Sequence, residues 1–206
     1  MTENTRYQQY QWIILPDGDP VVLRNCGRCK TTTKFIHSDD FRINAQKKIL
    51  DVWLIYHCEI CNNTWNMAIF SRIPSDRLDP VLYHAMAKND HETARKYAFD
   101  VHTLSDNRAV AQYNHLDFRV EGPSIWEMEG EAELEIRLPY QFPLRVDKVL
   151  GRELGISRPA VGKLFAQELV ENLSNSKKEK SKIAGSLRLR LRTNKIRDII
   201  EKEVSD

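Results

Sequence analysis

The sequence predicts an α+β protein on three observations. Two C-x-x-C pairs lie among strand-like segments, a middle region changes its apolar period from helical to two, and a basic last third reads as two short helices and a strand. At 206 residues the chain has room for two or three compact units. The expected division is a four-cysteine ribbon over 1–75, a helical hairpin with antiparallel strands (an α/β middle) over 76–140, and a basic two-helix-plus-strand module over 141–206.

The segment Met1 to Arg6 offers no basic lead into an apolar run, and no stretch approaches the ~18 apolar residues of a membrane span. A cytoplasmic protein without membrane contact is therefore expected. Net charge is only +2, but it is unevenly placed: residues 141–206 hold 15 Lys plus Arg against 9 Asp plus Glu, and residues 1–140 hold 16 against 20. A basic pole of this kind attracts phosphate.

All the cysteines fall in the pairs Cys26-Gly-Arg-Cys29 and Cys58-Glu-Ile-Cys61. Each pair makes a short turn that aims two sulfurs at one point, and two such turns supply the four ligands of a closed structural zinc site. Four thiolates on Zn²⁺ leave about two negative charges, which Arg24, Arg28 and Lys30 would offset. Disulfides fit an unexported chain poorly; a redox thiol pair and an iron–sulfur cluster are the other readings of the same residues. His57, beside Cys58, is a further ligand candidate. The flanks read as strands: Thr33, Phe35 and His37 alternate with Lys34 and Ile36, Leu50 to His57 is rich in β-branched and aromatic residues, and Trp65, Met67 and Ile69 share one face that would cover the metal.

In the middle, Asp79-Pro80 is a helix start, and a second helix opens at Asp90 with Ala94, Tyr97, Ala98, Val101 and Leu104 in one stripe. From Leu116 the period is two. Leu116, Phe118 and Val120, and then Ala132, Leu134, Ile136 and Leu138, read as two antiparallel strands. Glu131, Glu133 and Glu135 occupy the other side of the later strand, either as a solvated face or as a partner for a protein or for the basic tail. His84, His91, His102 and His115 have no nucleophile or carboxylate at a motif spacing, so no catalytic site is expected.

In the last third, Val146, Val149, Leu150 and Leu154 line one helix, Gly155 ends it, Ser157 caps the next, and Val161, Leu164 and Phe165 line that one. The residues Arg145, Asp147, Lys148 and Leu150, followed by Leu154, Gly155, Ile156, Ser157, Arg158 and Val161, resemble the α-L RNA-binding domain over about residues 142–192. That domain occurs in the fourth protein of the small ribosomal subunit, pseudouridine synthases and tyrosyl-tRNA synthetases. The resemblance implies a surface for structured RNA, such as ribosomal or transfer RNA, at Arg145, Lys148, Arg158 and Lys163. It also implies a glycine and then a strand after the second helix, where this chain has Glu168 and Leu169 to Asn172. Independently, Leu187 to Arg192 alternates three leucines with Arg188, Arg190 and Arg192, a row of guanidinium forks suited to phosphate, extended by Lys177, Lys178, Lys180 and Lys182. Ile196, Ile199, Ile200 and Val204 mark a closing amphipathic helix. The whole chain also resembles a family of bacterial cytosolic proteins of unknown function.

The expected function is non-catalytic RNA binding with structural zinc. Two alternatives use the same residues: a helix-turn-helix DNA-binding regulator, with Arg158 and Lys163 on the recognition helix, and an adaptor whose ribbon docks a protein partner. The strand-like, proline-broken residues before the helix pair and the basic strand after it favour RNA.

Overall fold

The structure, a computed structural model, describes residues 7–174 and 182–205. It is of the α+β class. Lys177, Lys178 and Lys180 of the expected basic loop lie outside the described residues. The chain separates into two compact units, Pro16–Asp117 and Met1–Leu15 with Phe118–Asp206.

Strand β1 (Gln8–Asp17) opens the chain, with Trp12 and Ile14 fully buried on one face. Within Pro16–Asp117, β2 (Val21–Asn25), β3 (Thr32–Gln46), β4 (Ile49–Cys58) and β5 (Thr64–Pro74) form an antiparallel meander. The alternation along β4 is complete: Leu50, Val52, Leu54, Tyr56 and Cys58 are buried, and the residues between them are half-buried. Helices α1 (Pro80–Ala87), α2 (His91–Phe99) and α3 (Val101–Asp106) follow, and the short strand β6 (Ala111–Gln112) closes the sheet beside β2. Ala94, Ala98 and Leu104 pack with Val22, Phe35, Leu54, Tyr56 and Met67 in one core.

Both expected helix starts are capped as the sequence indicates: Asp79 accepts from Val81 N–H, and Asp90 accepts from Thr93 N–H. The second helix is broken at Asp100 rather than continuous to Leu104. Asp100 is extended (φ −74°, ψ 107°) and its carboxylate accepts from His102 N–H, so it starts a new helix and leaves Val101 exposed. At the edge strand β5, Asn107 pairs like a neighbouring strand. Its Oδ1 accepts from Ala68 N–H at 2.8 Å and its Nδ2 donates to Ala68 O at 2.7 Å.

The other unit begins its second part with β7 (Asp117–Glu121) and a 3-10 turn at Ile125–Glu127 that carries a full Ser124/Glu127 capping box. Then come β8 (Glu131–Arg137), α4 (Val146–Leu154), α5 (Arg158–Ala166), β9 (Val170–Asn172), β10 (Ser186–Arg192) and α6 (Thr193–Ser205). The strand order is β7-β1-β8-β10-β9. The two strands expected to pair as neighbours, β7 and β8, are therefore separated by β1, which runs parallel to β8 in the register Gln9↔Glu133 to Ile13↔Arg137. Trp12 is the physical reason. Its ring is wholly buried and its Nε1–H donates to Pro123 O at 2.7 Å, while a side chain at Gly122 (φ 146°) would strike Gln11 O at 2.4 Å. Strand β1, expected in the ribbon, and the strand expected in the middle region (131–137) thus share a sheet with the basic tail.

Candidate metal centre and basic face

Cys26 and Cys29 sit on the turn between β2 and β3, and Cys58 and Cys61 on the turn between β4 and β5. Both turns are built alike. Cys26 N–H donates to Thr31 O and Lys30 N–H to Cys26 O; Cys58 N–H donates to Asn63 O and Asn62 N–H to Cys58 O. Lys30 and Asn62 take the matching left-handed conformations (φ 59° at each). The four sulfurs lie within 4.8 Å of one another, with Cys26 Sγ 3.5 Å from Cys61 Sγ and Cys29 Sγ 3.9 Å from Cys58 Sγ. The edge of a tetrahedron of thiolates bonded at the usual zinc–sulfur length is about 3.8 Å, so the cluster has the size a single ion requires. All four are free thiols, the first of each pair buried and the second half-buried. His57 is not part of the cluster.

The sulfurs are electrostatically unequal. The N–H of Cys29, 3.4 Å from Cys26 Sγ, holds the Cys26 thiol below its ordinary value. Burial pushes Cys58 up, but the Thr33 hydroxyl at 3.1 Å and the N–H groups of Cys61 and Ile60 outweigh it and bring it to about 6. Cys29 is pushed up to about 12, chiefly by the Cys61 sulfur facing it and then by burial. Four crowded sulfurs resist ionising together, and a bound dication reverses this by deprotonating every ligand. Around them, Arg28 Nη1 donates to Cys61 O at 3.4 Å, and the Arg24 guanidinium lies 3.9 Å from the centre of the Trp65 ring.

In α4 and α5 the expected turn is present. Gly155 ends α4 in the left-handed conformation (φ 69°), and Ser157 caps α5 by accepting from Ala160 N–H at 3.3 Å. Asp147, 3% exposed, is the hub. Arg145 grips both its oxygens, donating from Nε to Oδ1 at 3.0 Å and from Nη2 to Oδ2 at 2.6 Å, and Arg158 does so in the opposite sense, from Nε to Oδ2 at 3.1 Å and from Nη2 to Oδ1 at 3.4 Å. Lys148 and Arg152 lie over the buried Phe118 ring at 5.3 and 4.4 Å, and Lys163 is exposed on α5. Glu168 takes φ 56°, and β9 follows it.

Strand β10 has its leucines buried and its arginines on the opposite face. Those arginines face an acidic column in register: Arg188 opposes Glu135, Arg190 opposes Glu133 and Arg192 opposes Glu131. Arg190 bonds Glu133 at 2.9 Å and Glu171 at 3.4 Å, while Arg192 lies 3.8 Å from both Glu131 and Glu171. The acidic strand face is an internal partner of the basic tail rather than a merely solvated surface, and it offsets the arginine row.

A second charged cluster was invisible in the sequence. His37, almost wholly buried, has Nε2 3.3 Å from Asp19 Oδ2 and Nδ1 3.0 Å from Asp39 Oδ1. Asp39 reaches on to His91 Nδ1 at 3.0 Å, and Arg95 Nε holds Asp19 at 2.8 Å. His91 and Asp39 are 52 residues apart, so spacing carries no signal; a bulge in β3 between His37 and Phe41, with Asp39 left-handed (φ 65°), makes the contact. The Asp39 carboxylate raises the His91 pKa. This ion pair therefore contributes stability below the unfolded histidine value of about 6.5 and loses it as pH rises through the higher folded value. His91→Ala is expected to destabilise the protein by a few tenths to 1 kcal/mol at pH 6 and less at pH 9. Denaturant titration at the two pH values reads this, and an equal effect at both removes the ion pair as its cause.

Fold and site together define an α+β protein with a cluster of four cysteines able to hold a metal ion. The family model described as "Protein of unknown function (DUF1062)" matches residues 43–200, and the chain belongs to that family. No curated protein and no solved structure matches it. Among the described residues, no helix is long and apolar enough to cross a membrane.

Proposed function

We propose that the chain is a cytoplasmic, non-catalytic RNA-binding protein in which a structural zinc ion holds the ribbon and the α4–α5 face contacts structured RNA. The observation that carries this reading is the Asp147 hub. It fixes Arg145 at the start of one helix and Arg158 at the start of the next, and the same two helices carry the exposed Lys148 and Lys163. Between Arg145 and Ala166 there are five Lys or Arg and two carboxylates, and one of those, Asp147, is buried between arginines. A preorganised cationic face releases counterions on binding without first ordering its side chains.

The strand before the pair and the β9–β10 hairpin after it favour RNA over a helix-turn-helix contact with DNA, because helix-turn-helix domains generally carry a helix upstream. The β10 arginines contribute little to the reading, since glutamates already engage Arg190 and Arg192. Zinc is supported by the four-sulfur donor set and its tetrahedral size.

The test is recovery of nucleic acid on the purified, nuclease-untreated protein at low salt, followed by a salt titration. Arg158 and Arg190 are poor probes because both hold carboxylates. Lys148→Gln with Lys163→Gln is the informative variant. It is expected to weaken binding and to lower the slope of log affinity against log salt by about 1.5, two phosphate contacts' worth, with the melting temperature lowered only slightly by loss of the Lys148–Phe118 contact. Enrichment of specific duplex DNA selects the helix-turn-helix instead, and recovery of no nucleic acid selects the protein adaptor.

A further inference from the structure

We propose that Thr33 is a positioning residue of the metal centre: its buried hydroxyl donates a hydrogen bond to Cys58 Sγ and fixes the orientation and donor strength of that one ligand. The inference rests on the reading that the four cysteines hold a metal.

Thr33 is 4% exposed, and its Oγ1 stands 3.1 Å from Cys58 Sγ. A hydroxyl buried this deeply needs a partner, and the partner it meets is a sulfur. The pair is long-range, 25 residues apart, and spans the two halves of the site: Thr33 follows the first cysteine turn on β3, and Cys58 begins the second at the end of β4. Register explains the meeting. Phe35 is directly opposite Cys58, so Thr33, two residues earlier on the same inner face, is the diagonal neighbour of Cys58. On its other side Thr33 is opposite Arg24, the residue two before Cys26. Thr33 is thus paired with the strand that leads into the first cysteine turn and bonded to the first cysteine of the second, through a β-branched side chain with a stiff χ1.

Once the sulfur is a metal-bound thiolate it has lone pairs to spare and no proton to give, which leaves the threonine hydroxyl as donor. Such a bond fixes the direction of the ligand, the part that outer hydrogen bonds play around metal-binding residues generally. It also draws electron density from the sulfur, so that moving an electron from sulfur to the metal costs more. Cys26, the matching position of the first turn, receives a backbone N–H from Cys29.

The experiment is titration of the metal-free, full-length chain with Co²⁺, reading both affinity and the thiolate-to-cobalt charge-transfer band, for the parent, Thr33→Val and Thr33→Ser. Valine keeps the shape and removes the hydroxyl; serine keeps the hydroxyl and removes the methyl. The expected result is a loss of about 10–100-fold in Co²⁺ affinity for Thr33→Val, with the band moved to longer wavelength, and recovery of both in Thr33→Ser. Parental affinity and band position in Thr33→Val overturn the proposal. Equal weakening in both variants with the band unmoved also overturns it, because the methyl group's packing is then responsible. Absence of any thiolate band in the parent is a different failure, since it removes the metal reading itself.

Discussion

Stripping the metal with a strong chelator, or replacing Cys58 by serine, is expected to destabilise Pro16–Asp117 as a whole and to lower its melting temperature by about 20 °C or more. The size follows from two scales. Structural zinc supplies about 10–16 kcal/mol in isolated zinc-finger peptides, whereas a whole domain is stable by only about 5–15 kcal/mol. Half of the zinc contribution, lost from a unit of this size, corresponds to at least that shift in melting temperature. Cys26 and Cys58 are themselves members of the core cluster with Phe35, Tyr56 and Met67, so the metal end is not an appendage that can melt alone. Protons compete with metal for the thiolates, so the metal-dependent part of the stability falls as pH falls. Elemental analysis should find one zinc per chain. An unchanged melting curve after complete removal of the metal would sink the structural role.

The second large effect is expected at Asp147. Asp147→Ala leaves two guanidiniums without their shared carboxylate, and breaking a buried ion pair typically costs about 3–5 kcal/mol. Side chains of Arg145 and Arg158 are 37% and 49% exposed and regain water, so a smaller loss, about 2–3 kcal/mol, is expected. Its pH dependence has a fixed sign. Burial pushes the Asp147 carboxyl up, but Arg145 and Arg158 outweigh it and hold it below the ordinary value. The stabilisation is thus present above the unfolded value of about 3.9 and is lost as pH falls through the folded one. Denaturant titrations of parent and variant should differ by a constant amount at neutral pH and converge below about pH 4. A gap that persists into acid would assign the loss to packing instead. The same variant should loosen Arg145 and Arg158 and so weaken any binding at that face.

The features legible in the sequence are those whose chemistry is local. Cysteine spacing located all four sulfurs. Caps such as Asp79, Asp90 and Ser157 located helix starts, because each cap satisfies N–H groups two or three residues away. Alternation sorted the leucines of β10 from its arginines. What was not legible depends on distant pairings. Nothing between residues 117 and 137 reveals that β1 lies between the two strands there. Nothing in Glu133 of β8 names the arginine it meets 57 positions later. His37 and His91 find Asp39 only because β3 bulges. Asp100 is the exception, a local signal with two readings, since an aspartate within an apolar stripe reads equally as a helix surface residue and as a cap.

The position of β1 has a consequence for how the protein is made. Its parallel partner lies 124 residues downstream, and everything between them includes the whole of Pro16–Asp117. At about 5–20 residues per second, a ribosome delivers that partner roughly 6–25 s after β1 itself. Until β7 and then β8 emerge, Trp12, Ile13 and Ile14 form an apolar segment without a sheet partner, while the cysteine-bearing segment already has all its residues. The sheet that carries the basic helices therefore cannot close until β8 has been made, long after all four cysteines of the cluster are available.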